Sequence, residues 1–365
     1  MAHTLAEIAA ALDATVEGDG GLIITHAAEP GAAGPDALAL AMSPHYAEAL
    51  SAGAARAAIV WPGADWQALG LDAAIIAPRA RVAMAGLTRI FDPGQGFPEG
   101  LHPQAIIDPS AEIGADVTVG PFSVVAAGAR VGAGSVIGPM CYIGTGAEIG
   151  TGSLLREQVS LGARVRTGAR FTAQPGARLG SDGFSFVTPE KSSVEVARDD
   201  FGSGETASGT EQAYLRIHSL GAVVLGDDVE IGGNSVIDSG TIRPTQVGNG
   251  TKIDNLVQLG HNVIVGSDTL LCGQVGVAGS AKIGSNVVLG GQVGVADNIF
   301  VGDGVVAAGA TKITGNVPGG RVIMGYPATK MDTQVAMYKA LRRLPRMMSD
   351  FAALQKAVFK ASPKD

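Results

Sequence analysis

An aliphatic residue returns at every sixth position over most of the chain beyond Leu101, and a glycine often follows it directly. The period holds from Leu101 to Leu161, slips at Thr167 and Ala173, and recovers at Leu179. A second block carries aliphatic residues at Leu225, Ile231, Ile237, Val247, Ile253, Leu259, Val265, Leu271, Val277, Ile283, Leu289, Val295, Val301 and Ile313. A period of six fits neither an α-helix nor an alternating strand, and it is typical of a parallel β-helix built from hexapeptide repeats.

In such a β-helix each hexad contributes a short strand and a corner, and three hexads close one triangular coil of about 18 residues. The aliphatic residues point inward and stack from coil to coil, while glycine and other small residues occupy the corners. At a parallel-strand spacing of about 4.8 Å, roughly ten coils form a prism on the order of 50 Å long. A purely structural β-helix has the same period, so the repeat by itself predicts a fold and not a function.

The β-helix is predicted to span residues 101–325, with an inserted loop at residues 180–222 where the six-residue period is lost. Long loops in compact folds often carry function, and a tolerated surface insertion is the alternative. A skip of four residues near "SGTIRPTQ" predicts a second, smaller bulge that lies closer in sequence to the one histidine of the second block.

The segments on either side of the repeat have other patterns. Residues 1–100 combine helical spacing in "LAEIAAALDA" with buried-strand runs in "AAIVW" and "AAIIA", and "SPHYAEAL" opens like an N-capped helix. We therefore expect a small N-terminal α/β domain. Residues 326–365 have apolar residues near heptad spacing and predict a C-terminal helical tail, which we expect Pro345 to divide into two helices.

Composition narrows the class of protein. The chain has 53 glycines among 365 residues and 46% hydrophobic residues, which fits neither collagen nor a disordered chain. A formal net charge of −8 gives no reason to expect a nucleic-acid partner. No apolar run approaches the roughly 18 residues of a transmembrane segment, and the first residues lack the basic start of a secretory signal. Cys141 and Cys272 match no metal or redox spacing, so we expect reduced thiols and a cytoplasmic protein.

The candidate for catalysis is His261, in "KIDNLVQLGHNVIVG", because the repeat otherwise consists of small, polar and β-branched residues. It comes two positions after the inward Leu259, so its side chain is predicted to project from the wall of the prism. Its neighbours on the coil ladder are Gly279 on the next coil and Ser239 on the preceding one. A neutral imidazole in this small-residue setting can accept a proton near pH 7.

Three nearby residues are candidates for assisting this imidazole. The backbone N–H of Gly279 can donate to a developing oxyanion, and Asp254 and Gln258 can orient the ring or the nucleophile. A surface histidine without a role is the alternative. A zinc site is disfavoured, because an open catalytic zinc needs three protein ligands and the repeat offers only His102, His218 and His261, which are not expected to converge. We therefore expect no metal.

Four segments together resemble the UDP-3-O-acylglucosamine N-acyltransferases of lipid A biosynthesis: "DDVEIGGNSVIDSG", "VGNGTKIDNLVQLGHNVIVG", "GSDGFSF" and "GYPATK". The resemblance covers nearly the whole chain. It implies a homotrimer of left-handed parallel β-helices with active sites between subunits. The implied reaction moves a 3-hydroxyacyl chain from the phosphopantetheine thioester of acyl carrier protein to the 2-amine of UDP-3-O-(3-hydroxyacyl)glucosamine, with no bound cofactor. His261 matches the family's general base, which acts in a direct attack without an acyl-enzyme.

The same resemblance implies further binding residues. Tyr46 fits the family's uridine site, where Leu40 and Ser43 stand in place of a phenylalanine and an asparagine. Asn298, two coils past Asn262, stands where the family often has a second histidine, and both asparagines are candidates for substrate contact.

The tail is basic on an otherwise acidic chain, which indicates either an ordinary solvated helix face or a docking site for an acidic partner. Acyl carrier protein is such a partner, with Arg342, Arg343 and Arg346 as the expected contacts. Two other functions stay open: a related O-acyl- or acetyltransferase that uses coenzyme A, and a non-catalytic structural β-helix. The N-terminal domain disfavours the first, because the related O-acyltransferase begins directly with hexapeptides.

Overall fold

The computed structural model of the chain describes residues 2–192, 195–196 and 213–360. It forms two compact units, Met1–Gly96 and Phe97–Asp365. The polar middle of the predicted loop falls largely on residues outside these ranges.

The first unit is an α/β domain, as the sequence predicts. Its five-stranded sheet has the strand order Thr15–Gly18, Ala73–Ile76, Ala57–Val60, Ala37–Ala41 and His26–Ala28. The first pair is antiparallel and the others are parallel. A separate antiparallel pair joins His3–Thr4 to Ile23–Ile24. The helices of this unit are α1 (Leu5–Ala11), α2 (Pro44–Ala47), α3 (Ala80–Ile90) and the 3-10 helices Pro30–Ala32 and Glu48–Ala52.

Both faces of this sheet are buried. One core includes Leu5 and Ile8 of α1 and Leu87 of α3, and a second core on other sheet residues includes Leu50 and Ala47. Helix α1 begins with a capping box, in which the Thr4 hydroxyl accepts from the N–H of Glu7 at 3.2 Å and the Glu7 carboxylate accepts from the N–H of Thr4 at 2.8 Å.

The second unit is a parallel β-solenoid with three faces. The first face carries ten strands: Thr118–Val119, Val136–Ile137, Leu154–Leu155, Thr172–Ala173, Glu230–Ile231, Lys252–Ile253, Leu270–Leu271, Val288–Leu289, Val306–Ala307 and Val322–Ile323. The second face also carries ten: Ile106–Ile107, Val124–Val125, Tyr142–Ile143, Ser160–Leu161, Arg178–Ser181, Val236–Asp238, Gln258–Leu259, Gly276–Val277, Gly294–Val295 and Lys312–Ile313. The third face is divided between Glu112–Ile113, Arg130–Val131 and Glu148–Ile149, and then Val223–Leu225, Thr245–Val247, Ile264–Val265, Lys282–Ile283 and Phe300–Val301.

The register confirms the predicted 18-residue coil. Leu259 pairs with Val277 and Val277 pairs with Val295, and all three side chains are buried in one continuous core. The coil before differs, because Ile237 pairs with Leu259, which lies 22 residues further along the chain. The four-residue skip is therefore a bulge within one enlarged coil, as the sequence predicts.

The corners explain why small and polar residues alternate with the aliphatic ones. Many corner residues have positive φ, including a run at six-residue intervals from Leu256 to Asn298. Asn262 is one of them, with φ of +63°. Asparagine and aspartate tolerate this left-handed conformation better than most side chains, and glycine adopts it freely. Each coil therefore turns sharply enough for two-residue strands to form flat faces.

The insertion begins as an antiparallel hairpin, in which Phe186–Val187 pairs with Leu215–Arg216. It leaves the solenoid directly after the strand Arg178–Ser181, whose register with Val236–Asp238 shifts between Leu179 and Ser181. The base of the predicted loop is thus an ordered hairpin attached to the second face of the solenoid.

The C-terminal tail is a single helix, α4 (Met331–Lys360), with Pro345 inside it. The expectation that Pro345 divides the tail into two helices is wrong. Proline removes one backbone N–H donor, and in an exposed helix water can hydrate the carbonyl that loses its partner. Within the residues that the structure describes, we find no helix with the length and hydropathy needed to cross a bilayer.

Candidate active site

A cavity of about 1190 Å³ opens at the corner of the solenoid that carries His261. One wall is formed by Gly260 and His261 on one coil and Gly279 on the next, and the insertion contributes another wall with Phe186 and Tyr214. The sequence predicted the first wall from the six-residue ladder. The hairpin wall was missed, because its residues precede His261 by more than 40 positions and lie outside the repeat.

The ring of His261 is held through its Nδ1 atom, which lies 3.0 Å from Oδ1 of Asn262. The orientation of the Asn262 amide follows from its other partners: Oδ1 accepts from the N–H and hydroxyl of Thr241 at 3.1 and 3.0 Å, and Nδ2 donates to the carbonyl of Arg243 at 3.0 Å. Because Oδ1 can only accept, Nδ1 of His261 carries the proton. The lone pair of the neutral imidazole is therefore on Nε2.

The enlarged coil supplies these partners of Asn262. Thr241 and Arg243 belong to the four-residue skip, and the hydroxyl of Thr245 accepts from the N–H of Asn262 at 2.9 Å. The side chain of Asn262 is buried, whereas His261 is only half-buried. The bulge that the sequence shows as a lapse in the period thus fixes the residue that orients the candidate base.

Two glycines lie against the imidazole, one on each of two neighbouring segments. A Cβ atom on Gly279 would lie 2.7 Å from Nε2 and 2.8 Å from Cε1 of His261. A Cβ atom on Gly183 would lie 2.6 Å from Cβ of His261. The sequence correctly predicted Gly279 as a neighbour. The contact of Gly183 was not predicted, because the insertion that carries it lies outside the repeat.

The backbone N–H of Gly279 donates no hydrogen bond to any residue in the described part of the chain. It lines the same cavity as His261. A backbone donor beside a proton acceptor is the arrangement needed for an oxyanion next to a nucleophile, so the geometry is compatible with the predicted role.

Gln258 and Asp238 form a polar pair in the same cavity. Nε2 of Gln258 donates to Oδ2 of Asp238 at 3.0 Å and to the carbonyl of Leu259 at 3.2 Å. Burial raises the pKa of the Asp238 carboxyl above its usual range, while the hydrogen bond from Gln258 and the nearby His261 act in the opposite direction. The sequence pointed to Gln258 but not to Asp238, which looks like an ordinary corner residue in one dimension.

The insertion contributes an aromatic cluster, which we define as Phe184, Phe186 and Tyr214. The ring centroids of Phe184 and Phe186 lie 5.1 Å apart, those of Phe186 and Tyr214 lie 6.5 Å apart, and both pairs are edge-to-face. The guanidinium carbon of Arg216 lies 4.6 Å from the centroid of the Phe186 ring. Phe184 is 86% exposed, so the cluster presents apolar surface to the cavity and to solvent.

Asp254 lies on another edge of the solenoid. It follows the strand Lys252–Ile253, at the corner between the first and second faces, whereas His261 lies at the corner between the second and third. Asp254 lines a separate depression with Asn255 and Cys272. Within one chain the structure therefore brings Gln258 to His261 but does not bring Asp254 there.

The remaining predicted contacts are placed as follows. Asn298 lines the His261 cavity and its Nδ2 donates to the neighbouring Asp297 at 3.0 Å. In the first unit, Tyr46 is 60% exposed on α2, and Ser43 occupies the N-cap position without a side-chain capping bond. Leu40 is partly buried against the core of this domain, so little of its side chain is available for stacking.

The three tail arginines are exposed on α4. Nε of Arg346 lies 3.9 Å from Oδ2 of Asp350, one helical turn further on. Arg342 and Arg343 form no ion pair within the described residues. Among the described residues, no three His, Cys, Asp or Glu side chains are grouped so that they could hold a metal ion.

Comparison with known proteins places this chain in a class and then in a family. The bacterial transferase hexapeptide family (six repeats) matches residues 110–145. The solved structure of the Arabidopsis UDP-N-acetylglucosamine acyltransferase is 18% identical, with a TM-score of 0.50 over 73% of this chain and 85% of that one. At that identity the likeness concerns the fold alone, and it defines a hexapeptide-repeat β-solenoid.

Sequence relatives are much closer. The chain is 62% identical to the UDP-3-O-acylglucosamine N-acyltransferase of Ruegeria pomeroyi over 365 residues, which are 100% of both chains. It is 61% identical to the enzyme of that name from Paracoccus denitrificans over 364 residues, which are 100% of this chain and 99% of the relative. The chain belongs to the UDP-3-O-acylglucosamine N-acyltransferase family and is an acyltransferase, which confirms the resemblance noted in its motifs.

Proposed function

We propose that this acyltransferase moves a 3-hydroxyacyl chain from acyl carrier protein to the 2-amine of UDP-3-O-(3-hydroxyacyl)glucosamine in the cytoplasm, as a step of lipid A biosynthesis. The observation that carries the proposal is the imidazole of His261, whose Nδ1 is held by Asn262 so that Nε2 is the basic atom beside an open cavity. Family membership supplies the substrate class.

In the proposed reaction the amine attacks the thioester carbonyl directly. Nε2 of His261 takes one proton from the attacking nitrogen, the N–H of Gly279 donates to the oxyanion, and the proton passes to the departing thiolate. The chain supplies the base and the oxyanion donor of this scheme, and the phosphopantetheine arm of the carrier protein brings the acyl chain, so the proposed reaction uses no bound cofactor. The aromatic cluster offers apolar surface for an acyl chain near the imidazole.

The cysteines support direct attack rather than an acyl-enzyme. Burial raises the pKa of the Cys141 thiol to about 11, and burial followed by the charge of Asp254 raises that of Cys272. Within one protomer neither thiol lines the His261 cavity, and a raised pKa keeps both in the protonated thiol form near neutral pH. No serine hydroxyl hydrogen-bonds the His261 ring within the described residues, so the ring is not arranged to activate a side-chain nucleophile.

The homotrimer is also part of the proposal. The corner that carries Asp254 and the corner that carries His261 lie on different edges of the same coil, and each lines its own depression. A threefold arrangement of parallel solenoids can place one protomer's Asp254 corner against the next protomer's His261 corner. This supports an active site that is completed by a second copy of the chain.

The proposed function is tested by acyl transfer with the purified chain. We expect N-acylation of UDP-3-O-(3-hydroxyacyl)glucosamine with hydroxyacyl carrier protein as donor, detected by mass spectrometry of the sugar product. Transfer from acetyl-coenzyme A alone would favour the coenzyme A-dependent alternative. A folded protein that transfers from neither donor would contradict the proposal and favour a structural solenoid.

Charge reversal of Arg342 and Arg343 to Glu is expected to weaken binding of acyl carrier protein about tenfold or more and to flatten its salt dependence. The reason is that these exposed arginines form no ion pair in the described chain, so their charge is available to an acidic partner. Binding is measured by fluorescence anisotropy of labelled carrier protein at several ionic strengths.

The matched control reverses Arg81 and Arg89, two exposed arginines on α3 in the first unit, which changes the net charge equally. Equal weakening by both pairs of substitutions would mean that only the overall charge matters and that α4 is not the docking site.

A further inference from the structure

Asp238 is a buried carboxylate beside the candidate base. It ends the strand Val236–Asp238, where the register with Arg178–Ser181 shifts, and only 8% of its surface is exposed. Because Ile237 pairs with Leu259, the residue one coil after Asp238 is Gly260, which has no side chain to cover the carboxylate. Asp238 therefore lies deep in the cavity wall with one side open towards the cavity.

Only one of its two oxygens is used. Oδ2 accepts the hydrogen bond from Gln258 at 3.0 Å, and in the described part of the chain Oδ1 accepts none. No described basic side chain forms an ion pair with Asp238. The guanidinium of Arg216 is directed elsewhere: its Nη1 lies 4.0 Å from Oδ2 of Asp182, and its central carbon lies over the ring of Phe186.

The other ionisable side chains that line this cavity are Asp182, Glu195, Tyr214, Arg216, His261 and Asp297. Arg216, the one guanidinium among them, is paired with Asp182 and not with Asp238. A buried carboxylate without a cation is unfavourable unless something else satisfies it, and burial accordingly raises its pKa. Such groups concentrate at ligand sites, where the ligand supplies the missing partner.

We propose that Oδ1 of Asp238 accepts a hydrogen bond from the acceptor amine and thereby makes the site selective for an amine over a hydroxyl. This inference rests on the proposed function and deepens it by assigning the group that recognises the nucleophile. Asp238 binds the substrate's nitrogen while His261 removes a proton from it, and Gln258 positions the carboxylate through Oδ2.

The protons balance in this arrangement. A neutral primary amine has two N–H bonds: one donates to Oδ1 of Asp238 and the other donates to Nε2 of His261. The nitrogen lone pair forms the new C–N bond, the proton on the second N–H moves to Nε2, and the thiolate that leaves the carbonyl carbon receives that proton. The first N–H stays on the nitrogen as the amide N–H of the product.

A hydroxyl acceptor fits this pair of groups poorly. It has one O–H bond, which is needed by His261, so a lone pair of the hydroxyl oxygen would face the carboxylate of Asp238. A buried acceptor that receives no donor discriminates strongly against the ligand that leaves it unpaired.

The experiment compares two acceptors: the 2-amino sugar nucleotide and its analogue with a 2-hydroxyl group. With hydroxyacyl carrier protein as donor, the wild type is expected to prefer the amine strongly. In Asp238→Asn the bond from Gln258 is kept by the amide oxygen, and an NH2 donor then faces the amine. We expect kcat/KM for the amine to fall about 100-fold with little change for the hydroxyl analogue, so that the ratio collapses.

Asp238→Leu provides a second variant of similar size that removes the acceptor without adding a donor, and it is expected to lower the ratio as well. Asp228→Asn is the matched control, because Asp228 lies on the same coil, carries the same charge and pairs with Arg170 away from the cavity. Its acceptor ratio should equal that of the wild type.

Thermal unfolding at several pH values confirms that the variants fold. The pKa of Asp238 is raised in the folded state, so its charged form destabilises the protein as pH rises through that pKa. Asp238→Asn should therefore melt at or above the wild-type temperature at neutral pH, with the difference shrinking as the pH falls.

The outcomes separate the two hypotheses. No transfer by the wild type to either acceptor would reject the proposed function and the amine assignment that depends on it. Normal transfer by the wild type, with an unchanged acceptor ratio in folded Asp238→Asn and Asp238→Leu, would reject the role of Asp238 alone.

Discussion

Replacement of His261 by alanine is expected to lower kcat/KM for acyl transfer by about 10²-fold or more, with the fold intact. Removal of a positioned base typically reduces a rate by about 10²- to 10⁴-fold. The loss should appear in kcat, because the Nε2 lone pair acts on the attacking nitrogen, while binding of either substrate has other contacts. Steady-state kinetics with hydroxyacyl carrier protein and the aminosugar nucleotide measure both parameters.

His218→Ala is the matched control for this experiment. His218 is an exposed histidine at the end of the insertion and does not line the cavity. It should leave kcat unchanged. Turnover by His261→Ala at the wild-type rate would remove the base from the mechanism, whatever the effect of the control.

Gly279→Ala is expected to lower kcat to a similar extent, although it adds only one methyl group. The new Cβ atom would lie 2.7 Å from Nε2 of His261, a distance that requires the imidazole to move. A displacement of about 1 Å at the reacting centre can reduce a rate by about 10²-fold. The backbone of Gly279 is outside the left-handed region, so alanine introduces no strain of its own and the melting temperature should change little.

Gly315→Ala serves as the comparison, because a Cβ atom there meets nothing within 4 Å. Both variants are assayed for transfer and for thermal unfolding. A Gly279→Ala protein with full activity would show that the imidazole does not need the position it has against this glycine. A strong loss of stability would instead indicate a packing role in the solenoid.

Much of the fold was predictable because the solenoid is a local structure repeated along the chain. Inward residues such as Leu259 and Val277 recur at a constant interval, and each coil needs only the next coil to bury them. The same regularity made His261 conspicuous and predicted its contact with Gly279. The α/β character of the first unit was also readable, since its buried strands are short apolar runs such as Ala57–Val60.

The sequence did not predict the contacts that residues outside the hexapeptide repeat make in the His261 cavity, nor the continuity of the C-terminal helix. The contact of Gly183 with His261 was not predicted, since the register shift at the start of the insertion has no marker in the hydrophobic pattern. Pro345 suggested a break that helix α4 does not have. The rule that proline ends a helix considers only the lost backbone hydrogen bond, whereas in an exposed helix water can hydrate the carbonyl that loses its partner.

The hydrophobic period was therefore sufficient to predict the solenoid, its coil length and the corner that carries the imidazole of His261, because these features depend on contacts between consecutive coils. The tertiary structure alone revealed the tautomer set by Asn262, the exposed aromatic cluster and the half-used carboxylate of Asp238. Each of these depends on how an insertion or an enlarged coil lies against the ladder. A sequence period does not encode that placement, since segments without the period carry no register of their own.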